Sequence, residues 1–322
     1  MNLAVMHNSQ TKRMAIRSAL DDLGGRGLLG PVLRNGGHET MRSTKERRMG
    51  LVAGTVATLG MLMVSAAALV AQSVDVQAVR SAAAAVNAAV VPYAVGEELT
   101  YKASLGAISA GTARMRVDGI EIVRGRPAYH VVFSVDGGIP FFRVHDRYES
   151  WIDVQTLASL RHRQQISEGR YKRTTFYEIY PERAEYQKEG DSVRASVANP
   201  LDDGSFIYAV RTAGIQVGET RRDDRYFRPD KNPVVLTGLR QDTVKVAAGT
   251  FATTVVRPTI RTSGIFSDDG QAQVWFTDDA NRYPVQVKAK FSKFTLTLEL
   301  KSVTAGAQPG ALPTLIAQAV AP

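Results

Sequence analysis

The sequence of 322 residues contains no cysteine. That excludes disulfides, thiolate metal ligands, a cysteine nucleophile and a lipid-bearing cysteine. No G-x-S-x-G, H-E-x-x-H or phosphate-binding loop occurs, so the commonest hydrolase, zinc-protease and nucleotide signatures are missing. The aspartate doublets at 202–203, 223–224, 268–269 and 278–279 lack the ligand series and distal glutamate of a calcium loop. No Pro/Gly/Ser-rich stretch divides the body of the chain, which argues for one domain over residues 92–303. Charge is absent altogether from residues 49–71. Hydrophobic residues make up 44% of the chain, enough for a folded core.

The formal net charge of +9 is unevenly placed: residues 1–48 carry +5, and residues 72–322 only +4. A body this close to neutral gives no electrostatic footprint for nucleic acid. The basic block RSTKERR (42–48) instead leads into the uncharged run MGLVAGTVATLGMLMVSAAALVA (49–71) and then small residues. This is the layout of a secretory signal, with cleavage after Ala68 or Ala78. The run is also long enough, at about 20 residues, to span a bilayer, and an uncleaved inner-membrane anchor is the alternative. Residues 1–48 read as a leader or gene-model extension, 72–91 as an Ala-rich tether and 304–322 as a flexible tail.

From Pro92 onward, period-two alternation dominates and helical periodicity is mostly missing. The segments 98–105, 111–120, 128–135, 141–153, 157–167 and 170–180 read as short strands separated by turns, and further strands follow to 303. The expected fold is all-β and mainly antiparallel, a curled sheet, open barrel or half-barrel. One short helix is expected near 203–212, with Asp203 as its N-cap and Gly214 as its stop. The last hairpin, VWFTDDANRYPVQV, should bury Trp275, expose its Asp/Asn turn and start a strand at Pro284.

Several stretches also resemble the bacterial domain of unknown function 3108 family. They are YAVGEELTYKASLGAISAGTARMRV, FFRVHDRYESWID, DDGSFIYAVRT, AAGTFATTVV and VWFTDDANRYPVQV, in order over roughly residues 93–300. The opening carries Gly96, Glu97, Leu99 and Tyr101, then Ala110, Gly111 and Ala113. The resemblance implies an exported envelope protein of Gram-negative bacteria, with a curled sheet similar to that of the lipoprotein carriers LolA and LolB. It implies no catalytic residue and no cofactor.

No side-chain constellation specifies a reaction. His130, His145 and His162 could meet only if three strands pair in a favourable register. His145 and Asp146 point to opposite faces of one strand. The candidate contact residues are Phe141 and Phe142 after the GGIP break, and Arg161, Arg163, Tyr171 and Arg173 in the basic, aromatic-flanked stretch RHRQQISEGRYKR. The leading expectation is a periplasmic, non-enzymatic module that binds a lipid, another amphipathic ligand or an envelope protein, with no metal and no nucleic acid. An envelope hydrolase acting on glycan or lipid, and a structural assembly factor without a small ligand, are the alternatives.

Overall fold

The computed structural model describes residues 91–139, 142–261, 266, 271–291, 294–307 and 311–320. The expected signal or anchor at 49–71 and the leader before it lie outside the described residues.

Among the described residues, fourteen strands form one sheet in the order β8-β7-β6-β5-β4-β3-β2-β1-β14-β13-β12-β11-β10-β9. The first meander comprises β1 (Glu98–Leu105), β2 (Ile108–Val123), β3 (Arg126–Ile139), β4 (Phe142–Asp153), β5 (Ser159–Glu168), β6 (Tyr171–Tyr180), β7 (Glu185–Lys188) and β8 (Val193–Ala195). The second comprises β9 (Thr220–Asp223), β10 (Val234–Val246), β11 (Gly249–Thr259), β12 (Gln273–Thr277), β13 (Pro284–Phe291) and β14 (Phe294–Thr304). Every strand neighbour is antiparallel, and β1 pairs with β14, so the meanders join through their terminal strands. Short connections impose this pattern, because a tight turn can only return the chain antiparallel.

The sheet curls until its two ends approach each other. Right-handed twist accumulates along it, and register shifts at Val117/Gly119, Trp151/Ile152 and Gly238/Arg240 add local bends. Gly111 and Gly137 face each other where β2 and β3 come closest. A Cβ on Gly137 would overlap the Ala110 carbonyl, and Gly111 has a φ of 132°, so the approach requires glycine on both strands. At the seam, Leu201 forms a parallel bridge with Tyr226. The Phe227 ring then packs edge-on against Tyr177 of β6 and Tyr186 of β7, with centroids 5.1 and 5.2 Å apart. This clasp protects the ends of the sheet without a continuous strand ladder.

The inner face holds the main core. Leu99, Tyr101 and Ala103 alternate inward on β1, and Ala113, Met115 and Val117 do so on β2. Helix α1 (Ser205–Ala213) lies in the connection between the meanders and buries Phe206, Tyr208, Val210 and Arg211. The expected helix is therefore present, shifted by about two residues. Its cap differs: Asp202 rather than Asp203 accepts the backbone N–H groups of Gly204 and Ser205, at 2.8 and 2.9 Å. Asp203 is turned instead toward the strands.

Trp275 is buried and Pro284 opens β13. The intervening Asp278, Asp279, Ala280 and Asn281 are exposed. Trp275 lies on the outer face, where its indole N–H donates to Asp242 at 3.0 Å and Lys288 and Arg240 cover the ring. The segment 304–322, expected to be loose, contains helix α2 (Leu312–Val320), which packs against β2 and buries Ile316 completely. Its low-complexity composition masks the i, i+4 spacing of Leu312 and Ile316 that faces the core. Pro313 falls in the first turn, where a missing N–H leaves no helical bond unmade.

Candidate functional site

The N-terminus of α1 is fixed by a polar network that crosses from the helix to the inner face of β4 and β5. Asp202 Oδ1, which caps the helix, also accepts the hydroxyl of Ser150 at 2.5 Å. The backbone N–H of Asp202 donates to the hydroxyls of Ser159 and Ser205, which are themselves 2.7 Å apart. His162 lies beside this cap, with its Nδ1 donating to the Glu149 carbonyl at 2.9 Å. Its Nδ1 is 3.6 Å from Asp202 Oδ1, and its Nε2 is 3.6 Å from Asp203 Oδ2. Asp203 in turn accepts from Gln164 Nε2 and from the Tyr226 hydroxyl, both at 2.7 Å. Arg228 reaches the same hydroxyl at 3.2 Å.

Ser150, His162 and Asp202 are all fully buried. Burial opposes charge on the imidazole, but Asp202, Asp203 and the Glu149 carbonyl outweigh it, and the His162 pKa is raised. A serine, a histidine and an aspartate thus meet, but not as a nucleophile with its base. The serine donates to the aspartate, and both lie on the Nδ1 side of the ring, whose lone proton is held by a carbonyl. The geometry suits anchoring a helix.

Asp203 and Gly204 also border an apolar slot between α1 and the inner face. Tyr101, Met115 and Phe133 form one wall, Ile207 and Tyr208 the other, and Phe266 stands at its side. Its volume is about 60 Å³. Pockets that engulf drug-sized ligands are several times larger, at about 300–1,000 Å³. The slot matches one methyl-terminated chain end or a small apolar side chain rather than a whole lipid.

A second buried polar group lies further along the same face. Asp146 accepts the Ser167 N–H at 2.9 Å and neighbours the buried Glu168. Burial pushes the Asp146 carboxyl above its ordinary value. An acid raised in this way favours the folded state when protonated, and that advantage is lost as pH rises from the unfolded value of about 3.9. Asp146→Asn is therefore expected to be more stable than the wild type at pH 7, with the gain vanishing toward pH 4. Urea denaturation at the two pH values measures this.

The residues singled out in the sequence do not form one surface. Phe141 lies outside the described residues. Phe142 is half-buried, with its ring against Gly169. Arg161 and Arg163 project from the outer face. Arg161 is bound by Glu178 at 2.6 Å and lies over Trp151 and Phe176, and Arg163 approaches Glu149 at 3.6 Å. Tyr171 and Arg173 pair with Glu168 and Ile166 and so share the inner face. The histidines are likewise separated. His130 stacks on Trp151 on the outer face, His145 meets Asp136 at the surface, and His162 is inside. Outside, the hydrogen bond from His130, reinforced by Arg147 and opposed by burial, lowers the Glu149 pKa to about 2.

No curated protein matches the chain. Among solved structures, it is similar to a β-barrel-like protein of the DUF1849 domain of unknown function from Brucella abortus, at 8% identity and a TM-score of 0.44, covering 68% of this chain and 100% of that one. It is also similar to a protein from Parabacteroides distasonis classed as a lipoprotein, at 11% identity and a TM-score of 0.31, covering 66% of this chain and 98% of that one. A protein from Bacteroides fragilis classed as exported, with a YmcC-like fold, gives 15% identity and a TM-score of 0.26 over 66% of this chain and 98% of that one. The family model for proteins of unknown function DUF3108 matches residues 100–301, nearly the whole sheet from β1 to β14, and the chain belongs to that family.

Proposed function

We propose that the protein is an exported, non-enzymatic binding module of the cell envelope, whose inner slot takes the apolar end of a lipid or of an envelope-protein segment. The slot itself carries this reading: among the described residues, its walls come from strands of both meanders and from α1, and apart from Asp203 at its border they are uncharged. Water gains little from such a surface, so an apolar group entering it contributes roughly 25 cal/mol for each Å² removed from solvent. The basic block at 42–48 and the uncharged run at 49–71 support export to the periplasm, or inner-membrane anchoring if the run is retained. The Ser150–His162–Asp202 network supports a non-enzymatic role, because its bonds are spent on holding α1.

The volume narrows the ligand. A slot of about 60 Å³ favours partial insertion over transport of a wholly engulfed lipid. Ile207→Trp fills the slot from the helix side. Titration with cis-parinaric acid, followed by its fluorescence, is expected to saturate with the wild type and to weaken about tenfold or more with Ile207→Trp, a loss of about 1.4 kcal/mol. The melting temperature should be retained. Equal affinity for both proteins, or no binding to the wild type, would overturn the proposal.

A further inference from the structure

At the other end of α1 is a second cavity of different chemistry. Its volume is about 210 Å³, and it opens between the C-terminus of the helix, β10, β11 and the β12–β13 turn. The apolar base includes Val210, Ile215 and Val256, while the rim carries Gln216, Gln241, Thr254, Asp278 and Arg282. We propose that this cavity binds a neutral, polyhydroxylated ligand: one saccharide ring, free or at the end of a glycan.

The rim argues for that class through the sign and number of its hydrogen-bonding groups. Among the described residues the rim carries one carboxylate and one guanidinium, so its charges balance and favour no ligand of one sign. Gln216 and Gln241 are exposed, and among the described residues their side-chain amides bond to no other protein group. Each amide offers a donor and an acceptor, which suits hydroxyls that both donate and accept. Asp278 accepts from the Thr254 hydroxyl at 2.7 Å through Oδ1, leaving its second oxygen available.

Arg282 is held in place before any ligand arrives. Its Nη1 donates to the Arg211 and Thr212 carbonyls at 2.8 and 3.4 Å, which satisfies the end of α1. Among the described residues no group accepts from its Nε or Nη2, whose protons face the cavity for a ligand. The Arg282 backbone has a φ of 44°, an uncommon conformation for a side-chain-bearing residue. Gly214 makes room for the guanidinium, since a Cβ there would come within 3.2 Å of Arg282 Nε. A donor fixed in this way loses little entropy on binding. The cavity is also too polar for the apolar group assigned to the slot, so the two sites are independent.

The test is isothermal titration of the purified protein with N-acetylglucosamine and with chitotetraose, alongside inorganic phosphate as a charged probe. At least one saccharide is expected to bind saturably, and phosphate is not. The double variant Gln216→Ala/Gln241→Ala, whose side chains support no bond among the described residues, should weaken saccharide binding about tenfold or more. Ile207→Trp should leave it unchanged. Preference for chitotetraose would identify a glycan chain as the source, and equal binding of both a free sugar. No saturable binding of either saccharide, binding indifferent to the double variant, or preferential binding of phosphate would overturn the proposal.

Discussion

Arg211→Met is expected to destabilise the protein by about 3–5 kcal/mol, the usual cost of stranding one partner of a buried ion pair. Arg211 is fully buried. Its Nη1 and Nη2 bind the two Glu97 oxygens at 2.6 and 3.1 Å, and Nη2 also donates to the Pro92 carbonyl at 2.6 Å. Nε and Nη2 reach the Asn281 carbonyl at 3.3 and 3.1 Å. One guanidinium thus joins the segment entering β1, helix α1 and the β12–β13 turn, with the rings of Tyr93, Tyr208 and Tyr283 around it. Burial opposes its charge, and the bonds to Glu97 more than compensate, so its pKa is raised. In Arg211→Met, Glu97 remains buried without its cation. Adding Glu97→Gln should recover part of the loss, because the stranded charge is then gone. Urea denaturation of the single and double variants tests this, and a loss below about 1 kcal/mol for Arg211→Met would mean that the pair does not clamp the fold.

His162→Leu should cost a similar amount, about 3 kcal/mol, since two carboxylates then face a buried apolar group. The effect should depend on pH. The raised His162 pKa gives the folded wild type a contribution that is complete below the unfolded value of about 6.5 and is lost as pH rises through the higher folded value. The groups facing the ring are Asp202, Asp203 and the stacked Tyr177, with Tyr226 and Arg228 behind Asp203. Stability measured by urea at pH 6 and pH 9 should fall for the wild type and change less for His162→Gln. Parallel profiles for the two proteins would show that the imidazole is not charged in the fold.

These two effects mark the boundary of what the sequence made legible. Alternation from Leu99 to Val117 and from Val274 to Leu300 revealed antiparallel strands, because each strand buries one face. The Gly214 stop and the Asp-rich start located α1 to within a turn. Pairing across the fold was not readable in the same way. Glu97 and Arg211 stand 114 positions apart, and only the path of α1 across the inner face brings them together. Ser150, His162 and Asp202 meet through the register of β4 with β5 and the return of the chain to the helix cap.

The basic stretch shows a subtler limit. Arg161 and Arg163, with Tyr171 and Arg173, are all odd-numbered, which suggests one face. The two-residue turn at Gly169 and Arg170 pairs odd positions of β5 with even positions of β6, as in Arg161 with Glu178. Parity therefore inverts across the hairpin, and the two pairs separate to opposite faces. The α1 cap was misplaced by one residue for a related reason. Either aspartate satisfies the local pattern, and the choice of Asp202 depends on Ser150, Ser159 and Ser205, whose positions come from the fold.

Native mass spectrometry of the protein released gently from the envelope of the producing cells tests the central reading, a slot that holds an apolar ligand. The wild type is expected to be heavier than the polypeptide by an organic-extractable adduct, with that adduct reduced or lost in Ile207→Trp. A bare polypeptide mass for the wild type, or the same adduct at the same occupancy in Ile207→Trp, would contradict it.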